Sequence, residues 1–244
     1  MSLCFCIEIV YHSQIEGHAF FVNDTKKACG STLDMRRDVE TLSRQLLKRW
    51  VPKWHDAFSD DKHGGFHERL GEKFKPLDMP YKRLLTQCRQ ISIYAHATTV
   101  ATSPDYRKDL DERLKFMVKC YEKHKGGWIF SVTPDGKQTY DGRYDLYAHA
   151  FVIFTLSWAY RALKQEWIKD KAKDTLDFIH NRFALKHGYA EELHEDTLDP
   201  GGEIRRQNPH MHLFEACLFA YQTFDEAEYL AEADHIYSLF ENHF

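Results

Sequence analysis

Apolar positions in this chain recur with a helical period, in long blocks separated by short loops that each carry a glycine. Blocks at about 34–57, 105–123 and 165–183 are apolar on one face and densely charged on the other, the pattern of helices on the outside of a fold. Blocks at about 84–101, 144–162 and 208–223 are apolar almost all round, as inner helices are, and a last amphipathic block follows at about 226–243. Between each outer block and the next inner one lies a basic–glycine–aromatic loop: KHGGFHE with Gly65, KGGWIFS with Gly127 and KHGYAEE with Gly188, at a nearly constant spacing. The unit is therefore outer helix, loop, inner helix, repeated with a period of roughly sixty positions. Helix pairs of this kind build either an open solenoid or a closed ring of inner and outer helices. Residues 1–33 lack the period and end in the turn-rich CGSTLD. They read as a leader appended to a helical domain over 34–244.

Bulk composition narrows the function without choosing it. The 244 residues are 43% hydrophobic, enough for a real core, and the net charge of −4 offers no general attraction to nucleic acid or to an anionic membrane. No apolar run is long enough for a membrane span, and Glu8 interrupts the apolar stretch at the N-terminus, so neither a span nor a secretory signal is expected. Six cysteines without metal-like spacing suit a cytoplasmic protein with reduced thiols. Its 15 histidines and 14% aromatics suit a pocket for a polar ring-shaped ligand.

The polar residues on the inner helices sharpen this picture. The intervals from Gly65 to Arg89, from Gly127 to His149 and from Gly188 to His212 are nearly equal. In a ring of parallel inner helices, nearly equal register means nearly equal height, which a solenoid without a ligand does not require. Residues three or four apart share a helix face, which groups His212 with Glu215, Asn208 with His212, and Asp145 with His149. A carboxylate beside an imidazole fixes its tautomer and suits it to acid–base work near neutral pH. His96, two turns after Arg89, shares the arginine's face and joins the candidate binding residues. His210 and His212 are two apart and point in different directions, so no metal site is expected. The competing readings are a partner-binding solenoid and histidines that merely satisfy the core.

Three motifs then stand out: LLTQCRQISIYAHA at 84–97, YDLYAHAF at 144–151 and RQNPHMHLFEA at 206–216. In this order and spacing, and together with the glycine loops over about 35–244, they resemble the N-acylglucosamine 2-epimerase superfamily. Within it they are most similar to the aldose–ketose isomerase branch of mannose and sulfoquinovose isomerases. The resemblance implies an all-α (α/α)6 barrel, or toroid, with a monosaccharide bound in its central funnel. Of that barrel this chain would hold about the first seven helices.

The resemblance further implies proton transfer between C1 and C2 of an open-chain sugar through a cis-enediol, without cofactor or metal. His212 matches the histidine of the family's H-x-x-E motif, with Glu215 beside it, and His149 matches a histidine expected to hold the sugar and assist ring opening. Arg89 matches an arginine that binds hydroxyls or polarises the carbonyl oxygen, and Asn208 and Trp128 are expected to line the pocket. Arg205 or Arg206 could meet a phosphate or sulfonate on the sugar. The family's second catalytic histidine lies late in the barrel, where this sequence has no counterpart. The expectation is therefore impaired turnover by this chain alone, and homodimerisation through exposed half-barrel faces. A sugar 2-epimerase and a non-catalytic helical fragment remain the alternatives.

Overall fold

The computed structural model describes residues 41–100, 104–201 and 206–243; the expected leader lies outside these residues. Helical backbone begins at once and passes through a π-helical turn, Leu46–Trp50, into α1 (Val51–Phe58). Five long helices and one shorter one follow: α2 (Leu84–Thr99), α3 (Arg107–Met117), α4 (Leu146–Leu163), α5 (Glu166–Phe178), α6 (Gln207–Phe224) and α7 (Ala227–His243). α5 runs on into a second π-helical turn, Ile179–Phe183, which completes the expected outer block.

The division into inner and outer helices follows burial. α4 buries residues on every side, from Leu146 and Ala148 through Phe151, Val152 and Leu156 to Trp158, whereas α5 buries only the stripe Ile168, Ala172, Thr175, Leu176 and Phe178. α2 packs along α4 and α4 along α6, while α3, α5 and α7 cover them from outside. α4 starts where Asp145 turns its carboxylate back to accept the Ala148 N–H at 2.7 Å. It ends at Lys164 in the left-handed conformation, and α6 ends the same way at Asp225. The structure is thus about half of an (α/α)6 barrel, seen as three inner helices and their outer partners.

The sheet is what helical periodicity does not show. Strands β1 (Lys82–Arg83), β2 (Tyr121–Glu122), β3 (Gly127–Val132), β4 (Thr139–Asp145), β5 (Glu192–Leu193) and β6 (Pro200–Gly201) pair antiparallel in the order β1-β3-β4-β5-β6, with β2 also on β3. They form a cap over the N-terminal ends of the inner helices, because β1 and β4 run straight into α2 and α4. The expected outer helix at 105–123 is accordingly shorter. It closes at Met117 with a 3-10 turn, Val118–Cys120, so that Tyr121 and Glu122 can pair with Trp128 and Gly127.

Each repeat is tied shut in the same way. The aromatic after the loop glycine is fully or almost fully buried: Phe66, Trp128 and Tyr189. A polar residue on the following inner helix, at the same separation in all three units, takes its backbone N–H. Gln87 Oε1 accepts from Phe66 N–H at 2.8 Å, His149 Nε2 from Trp128 N–H at 3.2 Å, and His210 Nε2 from Tyr189 N–H at 3.1 Å. The Gln87 amide also donates to the Phe66 carbonyl at 2.9 Å. The next outer helix grips the same aromatics: the Arg113 guanidinium lies over Phe66, Trp128 Nε1–H donates to Thr175 Oγ1 at 2.9 Å, and Tyr189 O–H donates to Glu232 Oε1 at 2.7 Å. Loop and inner helix are thereby fixed to each other, and both to the outer helix that follows, in all three units.

Glycine is required where the loop meets its latch. Gly65 and Gly188 have φ of +66° and +79°, where only glycine is unstrained. A Cβ on Gly65 would stand 2.5 Å from Phe116 Cδ1 and 2.6 Å from Gln87 Oε1, and one on Gly188 2.9 Å from His210 Nε2.

Candidate active site

The latches reset the register of the inner helices. Gln87, His149 and His210 occupy one row, and two positions further on Arg89, Phe151 and His212 occupy the next. Those three stand at one and the same interval past Gly65, Gly127 and Gly188 respectively. The two rows point in different directions, and only the second gathers on one wall. The Arg89 guanidinium carbon lies 4.9 Å from the centre of the Phe151 ring, and the Phe151 and His212 ring centres are 5.1 Å apart. Tyr147, one turn before Phe151, joins them: Arg89 Nη2 donates to its hydroxyl at 2.7 Å, and its ring meets His212 edge to face at 4.9 Å.

On this wall, His212 Nδ1–H donates to Glu215 Oε2 at 3.1 Å, one turn along α6. With Nδ1 protonated toward the carboxylate, Nε2 is the basic nitrogen. Arg89 carries its charge without a carboxylate in any ion pair among the described residues, and its Nε is buried with no hydrogen-bond partner. Asn208 stands exposed on the first turn of α6, on the His212 side. A half-buried cation with spare donors, a hydroxyl and a carboxylate-oriented imidazole can together hold a polyol and move a proton at one of its carbons.

Three residues expected at the site are elsewhere. His149 is completely buried behind this wall. Its Nδ1–H donates to the Asp145 carbonyl at 2.8 Å, its Nε2 is occupied by Trp128 N–H, and its ring stacks on Phe178 at 5.3 Å. Burial pushes its pKa down to about 4, so it stays a neutral strut near neutral pH. Trp128 is equally buried, with one N–H given to His149 and the other to Thr175 on the next outer helix, so it does not line the wall. His96 shares the Arg89 face but two turns deeper, about 10 Å along the axis by helical rise. There it is buried and stacks on Trp158 at 4.1 Å, and burial, aided by the nearby Arg161 charge, lowers its pKa to about 4.

His210 and His212 do diverge, the first to the Tyr189 backbone and the second to Tyr147 and Glu215. Among the described residues no group of three or more His, Cys, Asp or Glu is placed to hold a metal ion. No helix among them is long and apolar enough to cross a membrane. Arg206 is exposed and paired with Glu191 through Nε at 2.7 Å, which leaves it a poor phosphate ligand; Arg205 lies outside the described residues.

Tyr147 and Phe151 belong to this wall, and the sequence reading passes over both. Both sit inside YDLYAHAF, and applying the Gly65–Arg89 interval to Gly127 would have found Phe151.

Known proteins share this fold. Residues 64–244 match the family model described as N-acylglucosamine 2-epimerase. The mannose-6-phosphate isomerase of Rhizobium meliloti is 28% identical over 211 residues, 84% of this chain and 52% of that protein. The cellobiose 2-epimerase of Bacteroides fragilis is 22% identical over 82% of this chain and 54% of its own length. Among solved structures, cellobiose 2-epimerase from Spirochaeta thermophila superposes with a TM-score of 0.78 at 24% identity, covering 87% of this chain and 55% of that one. A D-mannose isomerase superposes with a TM-score of 0.70 at 22% identity, over 80% and 50%. The chain spans about half the length of the curated relatives it matches, and by the extent of the family match it is a member of the N-acylglucosamine 2-epimerase family.

Proposed function

We propose that this chain carries the sugar-binding wall of an aldose–ketose isomerase of the mannose-to-fructose type. The observation that carries the reading is the convergence of the oriented His212–Glu215 pair and the uncompensated Arg89 cation on one wall. In this reading His212 Nε2 removes the proton alpha to the carbonyl of an open-chain sugar. Glu215 holds the ring and stabilises the imidazolium that forms. Arg89 donates to the oxygen on which enediolate charge develops, and Tyr147 O–H and Asn208 hold neighbouring hydroxyls. His212 then returns the proton to the adjacent carbon while the proton of the C2 hydroxyl passes to the C1 oxygen, which makes the ketose. His149 and Trp128 have no part in the proton transfer and keep the wall in place from behind.

A sugar 2-epimerase is the second reading, favoured by the likeness to two cellobiose 2-epimerases. It shares the first step and differs in returning a proton to the opposite face of the same carbon. The deciding experiment is an incubation of purified chain with D-mannose, followed by separation of fructose from glucose, with a His212→Ala control. Fructose formed by the chain and abolished in the control supports the isomerase, and glucose in its place supports the epimerase. Neither product from a folded, monodisperse sample overturns both and leaves a non-catalytic helical fragment.

A further inference from the structure

Phe151 occupies, on the central inner helix, the position that Arg89 and His212 occupy on its neighbours. An apolar ring at this height would be unremarkable core if it packed only on other apolar groups. Instead it has the guanidinium of Arg89 over its ring at 4.9 Å and the imidazole of His212 at 5.1 Å, and it is 6% exposed. The cation also lies 5.7 Å from the Tyr147 ring centre and gives one hydrogen bond to that hydroxyl. A buried or half-buried arginine is ordinarily compensated by a carboxylate, which would cancel the charge a substrate oxygen needs. An aromatic face attracts a guanidinium without neutralising it.

We propose that Phe151 is a positioning residue, the aromatic seat that keeps the Arg89 cation charged, uncompensated and fixed beside His212. The inference rests on the reading of this wall as the site, and its test is chosen to stand apart from turnover.

The test is NMR of the Arg89 Nε–H, a buried donor with no hydrogen-bond partner, in the intact chain and in Phe151→Leu and Phe151→Trp variants, with Arg89→Lys to assign the signal. A guanidinium seated on the ring exchanges its Nε–H with water slowly. Phe151→Leu keeps apolar bulk but removes the π face, which frees the guanidinium to the solvent, so the exchange rate should rise by about tenfold or more. Phe151→Trp should leave the rate where it is. The inference is overturned if Phe151→Leu leaves the exchange rate unchanged, or if the leucine and tryptophan variants change it alike, since either makes the ring ordinary packing. Failure of the chain to turn over any sugar would sink the isomerase and epimerase readings but would not alter this outcome.

Discussion

His149→Gln should be tolerated where His149→Ala is not, because Gln87 already does in the first unit what His149 does in the second. His149 is fully buried, accepts Trp128 N–H at 3.2 Å, donates to the Asp145 carbonyl at 2.8 Å and stacks on Phe178. Alanine leaves the buried Trp128 N–H without an acceptor, at about 1–3 kcal/mol, and opens a cavity beside Phe178 that costs about 2 kcal/mol more. The total of about 3–5 kcal/mol corresponds to roughly 10 °C or more in Tm for a domain of this size. Glutamine can still accept from Trp128 and loses chiefly the ring stack, so about 1–2 kcal/mol and a few degrees are expected.

The pH dependence gives an independent reading of the same change. The folded-state pKa of His149 is depressed to about 4 by burial, while the unfolded chain binds its proton with a midpoint near 6.5. Between those values the unfolded state holds more protons, so stability rises with pH up to about 6.5 and is lost as pH falls toward 4. The contribution is of order 3 kcal/mol across the window. His149→Gln should remove one proton's share of that slope, up to about 1.4 kcal/mol per pH unit, while the similarly depressed His96 keeps its own. Urea melts followed by circular dichroism between about pH 4 and 7 measure both effects. Equal destabilisation by glutamine and alanine, or an unchanged slope in His149→Gln, would refute the latch.

The remaining expectations are briefer. Gly65→Ala forces a Cβ to within 2.6 Å of Phe116 and Gln87 at a φ of +66°, and should lower stability by about 2–4 kcal/mol in the same melts. Trp128→Phe keeps most of the buried ring but gives up the bond to Thr175 Oγ1; it should cost about 1–2 kcal/mol and leave KM for the sugar unchanged in steady-state assays. Glu215→Gln should lower kcat by about 10–100-fold, and His212→Ala by a further tenfold or more, with both variants melting near the parent because neither side chain is in the core.

Much of this fold can be read along the chain, because an inner helix buried on all sides and an outer helix buried on one stripe leave different patterns. The inner and outer helices α4 to α7 begin and end close to the periodic blocks, once the π-helical turn that extends α5 is included. The sheet escapes because its strands are mostly dipeptides, and the two longer ones, GWIFSV and TYDGRYD, are too short to outweigh their helical flanks. At the site the difficulty is different. A polar residue on an apolar helix has two uses here, latching a loop and joining the Arg89–His212 wall, and the two rows lie only two positions apart. Nearly equal intervals from the loop glycines mix them, pairing His149 from the latch row with Arg89 and His212 from the wall. Hydrogen-bond partners separate the rows, and spacing alone does so only once Gln87 is recognised as the equivalent of a histidine.

The account's central claim is that His212 Nε2 reaches the proton on C2 of an aldose held against Arg89 and Tyr147. Incubating D-mannose with the chain in D2O and following the C2 proton by NMR addresses that step whatever product is finally released. The account predicts loss of the C2–H signal, slowed by about a hundredfold or more in His212→Ala. Loss of signal at the same rate in that variant, or none from the folded parent chain, would contradict it.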